Sequence, residues 1–70
     1  NIKNELDKDM LNRALDKLDD KYKEVLILRY IEDKDYNEIS DILKISSGTV
    51  GSLINRGKNK LKEIIENEKR

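Results

Sequence analysis

The feature that most constrains the fold is an apolar stripe that runs for about four helical turns near the C-terminus. Between Val50 and Ile65 the apolar residues recur with the period of one helix face, and the chain contains no proline. The residues on this stripe are Val50, Leu53, Ile54, Gly57, Leu61, Ile64 and Ile65. A shorter helical pattern ends at Leu43, a few residues before the long one begins. A short helix, a tight turn and a long helix together predict a helix-turn-helix.

Two further helical patterns precede this motif. The first covers residues 2–18, where apolar residues keep helical spacing at Ile2, Leu6, Met10, Leu11, Ala14, Leu15 and Leu18. The second covers residues 20–31 and has an acidic start at Asp19 and Asp20, which favours a helix N-terminus. No segment shows the alternation of a strand.

The ends of the last two helices carry their own signals. Asp35 with Glu38 three residues later is a variant of the capping box, and it predicts a third helix that runs to Leu43. Ser46 or Ser47 is expected to cap the fourth helix, which continues to about Glu66 or beyond. We therefore predict an all-α fold in which residues 1–70 form a single compact four-helix domain with a long C-terminal recognition helix.

The side of the last helix that lies opposite the stripe carries side chains that are short, form hydrogen bonds or are cationic. It carries Gly48, Ser52, Asn55, Arg56 and Asn59, with Thr49 and Gly51 at its margins. A solvated polar face is the simpler interpretation, since every amphipathic helix has one. However, residues 44–62 contain no acidic side chain, and the second helix of this motif is typically laid in a DNA major groove. We predict DNA contacts by Ser47, Gly48, Thr49, Ser52, Asn55, Arg56, Lys58, Asn59 and Lys60.

The formal net charge is zero, which is unusual for a DNA-binding domain, but the charge is unevenly distributed. Residues 1–43 carry eight basic and twelve acidic side chains, whereas residues 44–70 carry seven basic and three acidic ones. The C-terminal part therefore has a charge of +4 and the N-terminal part −4. Such a domain can turn its positive end toward phosphate, and we expect its binding to DNA to be weak on its own.

Composition excludes most other chemistry. The chain has no cysteine and no histidine, so no thiolate metal site, redox site or histidine general base is expected. We predict no enzyme activity, no metal and no cofactor. No apolar run approaches membrane-spanning length, and we expect a cytoplasmic protein without a membrane partner. Because the chain begins at Asn1 rather than at methionine, it is expected to be a fragment of a longer protein.

The second helix carries apolar residues on nearly every side. Its apolar residues are Tyr22, Val25, Leu26, Ile27, Leu28, Tyr30 and Ile31. One interpretation is a central helix that its neighbours bury. The other is that part of this surface stays open as a docking site for a helix of another protein, and the residues predicted to form that site are Leu26, Tyr30 and Ile31.

Residues 18–63 resemble region 4 of bacterial sigma factors of the sigma-70 superfamily, most closely the extracytoplasmic-function type. The resemblance is carried by Tyr22, Val25, Leu28, Arg29, Tyr30, Tyr36, Glu38, Ile39, Gly48, Thr49, Val50 and Arg56. It implies a role in transcription initiation, in which the last helix binds the minus-35 element of double-stranded promoter DNA. It also implies docking on the flap of the RNA polymerase beta subunit, with an anti-sigma factor as a competitor.

Five positions depart from the pattern of that family. Asp19 stands where a proline is usual, and Lys44 stands where the turn usually has glycine, so Lys44 is expected to be left-handed at a cost of roughly 1 kcal/mol. Gly57 replaces a typical alanine within the apolar stripe, where a small residue permits close helix packing. Gly51 and Leu53 stand where cations are frequent. We therefore expect fewer direct side-chain contacts to bases here than is usual in the family.

Two other functions are compatible with the residues alone. The DNA-binding domain of a LuxR-type response regulator shares part of the skeleton, but its recognition helix normally ends sooner. A protein-interaction module could also retain the helix-turn-helix as a scaffold that binds an anti-sigma factor or polymerase, and the neutral net charge favours that alternative.

Overall fold

The computed structural model describes the backbone of residues 2–68 and the side chains of residues 9–68. Helix α1 spans Ile2–Asp16 and α2 spans Asp20–Leu26, which continues directly as a π-helical segment, Ile27–Ile31. Helix α3 spans Tyr36–Leu43 and α4 spans Ser47–Glu68. The described part of the chain contains four helices and no strand, so the predicted all-α fold is confirmed.

The end of α1 differs slightly from its prediction. The helix stops at Asp16, two residues early, because the next two amides bond to carbonyls only three residues back. Lys17 donates to the carbonyl of Ala14 and Leu18 to that of Leu15, both at 3.1 Å. This tighter winding ends the α-helix while Leu18 stays buried. The predicted apolar positions Ile2 and Leu6 lie outside the residues whose side chains are described.

The core forms where α4 packs against α2, with α1 and α3 placed along the same long helix. Its buried apolar residues are Ala14, Leu15, Leu18, Tyr22, Val25, Leu26, Ile39, Val50 and Ile54. Gly57 lies at the contact between α4 and α2. A β-carbon there would stand 3.2 Å from Cδ1 of Leu26 and 3.3 Å from Cβ of Tyr22. The predicted close packing at Gly57 is confirmed, because a β-carbon there would require its neighbours to shift by a few tenths of an ångström.

One sequence expectation about the second helix is corrected here. Leu26 was predicted to belong to a docking surface, but its side chain is only 2% exposed because α2 turns it toward Gly57 of α4. Leu26 is therefore a core residue. Tyr30 and Ile31, the other two predicted docking residues, are each 55% exposed on the π-helical segment.

The far end of α4 is fastened to α1 by charged side chains. The Lys17 ammonium donates a hydrogen bond to Oε1 of Glu68, and Nε of Arg13 lies 4.0 Å from Oε2 of the same carboxylate. The hydrogen bond from Lys17 and the charges of Lys17 and Arg13 hold the pKa of Glu68 below its ordinary value. These contacts hold the last turn of α4 beside the C-terminal end of α1. Within residues 2–68, no helix combines the length and hydropathy needed to cross a bilayer.

Candidate nucleic-acid interface

The start of α3 is held by the predicted capping box. The Asp35 carboxylate accepts a hydrogen bond from the amide of Glu38 at 2.8 Å, and the Glu38 carboxylate accepts one from the amide of Asp35 at 2.9 Å. Two amides that the helix itself leaves unpaired are thereby satisfied. The first helix of the helix-turn-helix therefore begins at the residue that the local sequence specifies.

The turn between α3 and α4 depends on a left-handed residue. Lys44 has φ of 61° and ψ of 41°, as predicted, and its amide donates to the carbonyl of Ser40. The amide of Ile45 donates to the same carbonyl at 3.2 Å, while the Ser40 hydroxyl donates to the carbonyl of Ile45. Ser40 thus closes the turn from both directions and sets the path from α3 into α4.

Lys44→Gly is expected to stabilise the domain by about 1 kcal/mol, because glycine adopts the left-handed conformation without the clash of a β-carbon. Chemical denaturation of the two proteins measures this difference directly. The matched control is Lys62→Gly, the same replacement within the exposed part of α4, which is expected to cost about 1 kcal/mol of helix propensity. Destabilisation by Lys44→Gly would show that the lysine side chain contributes more than its backbone strain costs.

Ser46 is the residue that caps α4. Its hydroxyl accepts a hydrogen bond from the amide of Thr49 at 3.1 Å and also lies 2.9 Å from the Thr49 hydroxyl. Of the two serines predicted as caps, Ser46 holds this role and Ser47 becomes the first residue of α4. The cap fixes the N-terminal turn of α4, where several of the predicted DNA-contacting residues lie.

We call the exposed surface of α4 formed by Gly48, Thr49, Ser52, Asn55, Arg56 and Asn59 the open face. All six residues are solvent-exposed, as are Ser47, Lys58 and Lys60. Among the described side chains, the ion pairs involve Arg13, Lys17, Lys23 and Arg29, and none involves Arg56. The guanidinium of Arg56 is therefore not neutralised by a carboxylate within residues 9–68, and it is available to an external acceptor.

The two predicted lysines lie beside the open face rather than on it. The Lys60 ammonium is 5.8 Å from the centre of the Tyr22 ring, which places it on the side of α4 that faces α2. Lys58 lies on the other side, where it borders a shallow cavity with Leu61 and Ile65. Both lysines therefore flank the open face, a position that suits contact with phosphates rather than base edges.

An aromatic contact that the sequence did not reveal borders the open face. Tyr36, the first residue of α3, places Cε2 3.4 Å from the position that a β-carbon of Gly51 would occupy. The guanidinium of Arg29 lies 5.9 Å from the centre of the Tyr36 ring and 5.8 Å from that of Tyr30. No local spacing rule signals the two contacts of Tyr36, because they join α3 to the π-helical segment and to α4.

Carboxylates do not gather into a metal site in the part of the structure that is described. No group of three acidic residues there is arranged to hold a cation. The chemistry that the interface offers is hydrogen bonding and positive charge on a narrow helix face, between flanking lysines.

Comparison with known proteins decides the family. Residues 8–61 match the family model described as Sigma-70, region 4, which is most of the chain. The chain belongs to the sigma-70 region 4 family. The matched range of this region 4 domain includes α3, the turn and the part of α4 that carries the whole open face. This assignment confirms the resemblance noted from the sequence and leaves no need for the response-regulator alternative.

A relative of this region 4 domain is the ECF RNA polymerase sigma factor SigW of Bacillus subtilis (strain 168). The two are 45% identical over 47 residues, which is 67% of this chain and 25% of the relative. The chain thus spans about a quarter of the length of that sigma factor. No solved structure matches the chain significantly.

Proposed function

We propose that this region 4 domain recognises promoter DNA in transcription initiation by placing the open face of α4 in the major groove of the minus-35 element. The observation that carries the proposal is an exposed helix face, free of acidic residues from 44 to 62, on the second helix of a helix-turn-helix. The major groove admits one helix, and the base edges there differ for each base pair. Membership of the sigma-70 region 4 family supports the same use.

The side chains on and beside the open face take two roles that differ in chemistry. Arg56 has the geometry to donate two hydrogen bonds to a guanine edge or to a phosphate, and Ser52 and Asn55 can bond neighbouring bases. Ser47 and Thr49, in the first turn of α4, suit contacts with the phosphate backbone. With Gly51 and the half-buried Leu53 in place of cations, base reading depends mainly on Arg56.

Affinity for DNA is expected to be modest for the domain alone. The cations that flank the open face are Lys44, Lys58, Lys60 and Lys62. If they make three or four phosphate contacts, the logarithm of the binding constant falls with that of salt concentration with a slope of about −3. Tethering to polymerase would raise the effective concentration of the domain at the promoter, so that weak contacts suffice.

Selection from a random pool of duplex DNA tests this proposal. The 70-residue chain, immobilised at low salt, should enrich a short motif that contains at least one guanine, and Arg56→Ala should lose that enrichment. Tight, sequence-specific binding at physiological salt would show that direct base reading is stronger than the face suggests. If no motif is enriched while polymerase still binds, the domain is a protein-interaction module and the proposal fails.

We also propose a docking surface for RNA polymerase, formed by Tyr30 and Ile31 on the π-helical segment. Both side chains are 55% exposed, although large apolar residues are normally covered in a small domain. The family implies that the flap of the polymerase beta subunit occupies this surface and that an anti-sigma factor can compete for it. A short apolar helix bound through a few anchors fits two adjacent exposed side chains of this kind.

Tyr30→Glu is expected to weaken binding of the domain to an isolated beta-flap fragment by at least roughly tenfold, because a carboxylate would be buried at the contact. The melting temperature should change little, since Tyr30 is exposed in the free domain. Calorimetric titration and thermal denaturation measure the two effects separately. The control is Ile42→Glu, which places the same charge on another exposed apolar position, on α3. If Tyr30→Glu unfolds the domain instead, Tyr30 is structural and docking must use another surface.

A further inference from the structure

One margin of the open face has an aromatic ring where its own helix has no side chain. Gly51 lies at that margin, and the ring of Tyr36 covers it, with Cε2 3.4 Å from the position of a β-carbon. This is ordinary van der Waals contact, so the ring rests on the α4 backbone without strain. Tyr36 is nevertheless 43% exposed, and part of its side chain therefore reaches solvent beside the open face.

Arg29 holds this ring from the side of the π-helical segment. Its guanidinium carbon lies 5.9 Å from the centre of the Tyr36 ring, within the range of a cation–π contact. The same guanidinium donates to the carbonyl of Lys34 at 3.3 Å and lies 3.9 Å from Oδ1 of Asp33. Tyr36 is thus positioned by α4 on one side and by a tethered arginine on the other.

We infer that the Tyr36 hydroxyl donates a hydrogen bond to a phosphate oxygen at the edge of the groove that α4 occupies. This inference rests on the proposed function. In a helix-turn-helix the first helix crosses the DNA backbone while the second lies in the groove, and Tyr36 is the first residue of that first helix. Tyrosine hydroxyls are among the groups that bind phosphates, and such contacts carry no sequence information.

The charges around Tyr36 favour a phosphate contact made by a neutral hydrogen-bond donor over one made by an ion pair. Asp33, Asp35 and Glu38 lie at the same end of α3, and they disfavour a large positive potential there. The Asp35 carboxylate is occupied by the Glu38 amide, and Arg29 lies beside Asp33. The neutral hydroxyl of Tyr36 can therefore donate a hydrogen bond to a phosphate there without a neighbouring cation that contacts the same phosphate.

Tyr36→Phe tests the inference because it removes only the hydroxyl and leaves the ring on Gly51. The probe is a 20-base-pair duplex of random sequence, titrated with the 70-residue chain at about 50 mM salt, since a phosphate contact contributes to non-specific binding. Affinity should fall roughly three- to tenfold, with the melting temperature and any selected motif unchanged. The matched control is Tyr22→Phe, which removes the same group from a core ring that is only 5% exposed and should leave affinity unchanged.

Both variants titrated against the duplex that carries the selected motif separate the two proposals, because that duplex reports base contacts as well as phosphate contacts. If Arg56→Ala weakens binding and Tyr36→Phe does not, this inference is wrong and the proposed function stands. If neither substitution changes binding, both are wrong. An equal loss in Tyr36→Phe and Tyr22→Phe would also overturn the inference, because the effect would then not depend on the position of the hydroxyl beside Gly51.

Discussion

Arg56→Ala is expected to weaken binding to the selected minus-35 duplex by roughly tenfold or more. A well-placed arginine–guanine pair contributes about 1–3 kcal/mol, and the open face carries no second cation that could replace it. The side chain is exposed and makes none of the ion pairs within residues 9–68, so its loss should not disturb the fold. Fluorescence anisotropy with a labelled duplex measures the change.

The control for this prediction is Arg13→Ala on α1, which removes the same charge away from the open face, beside Glu68. It should change affinity only slightly. The pattern of loss also reveals what Arg56 contacts. If it reads guanine, discrimination at one base pair should relax, whereas a phosphate contact would lower all affinities alike and reduce the salt slope by about 0.9. Unchanged binding by folded Arg56→Ala protein would remove Arg56 from the interface.

Leu26→Ala is expected to destabilise the domain by about 2–5 kcal/mol, because it leaves a cavity at the contact between α2 and α4. A domain of this size has a total free energy of unfolding of roughly 4–10 kcal/mol, so a large part of its stability would be lost. The loss follows from the position of Leu26 beside Gly57, where the two helices approach most closely and neighbours cannot easily fill the space.

Urea denaturation followed by circular dichroism measures this loss, with Ile31→Ala as the matched control. Ile31 is 55% exposed on the same helical stretch, and its truncation should change stability by no more than about 0.5 kcal/mol. A Leu26→Ala domain as stable as the parent would mean that Leu26 is not a core residue. In that case its predicted role in docking would have to be reconsidered.

The helix ends of this protein follow from short stretches of sequence. The capping box of Asp35 and Glu38 forms as the residues predict, and Lys44 is left-handed as the resemblance to the family implied. Each depends on groups no more than about five residues apart, so the physical interactions that select them lie within one local window. The long stripe of α4 is local in the same sense, because its helical period repeats along one element.

The second helix shows why the docking surface could be predicted only in part. Apolar residues surround it, so its sequence does not indicate which of them will face the core. The close approach at Gly57 selects Leu26 for burial, and the π-helical winding from Ile27 leaves Tyr30 and Ile31 in solvent. That choice depends on the partner helix rather than on the segment itself.

The sequence alone determined the helix-turn-helix, the capping box of α3 and the residues of the open face, because periodicity and capping act between near neighbours along the chain. Only the tertiary structure decided that Lys60 turns toward Tyr22 and that Tyr36 covers Gly51 with Arg29 beside it. These contacts join residues from different helices. Their geometry depends on how the helices pack, which no pattern within a single helix specifies.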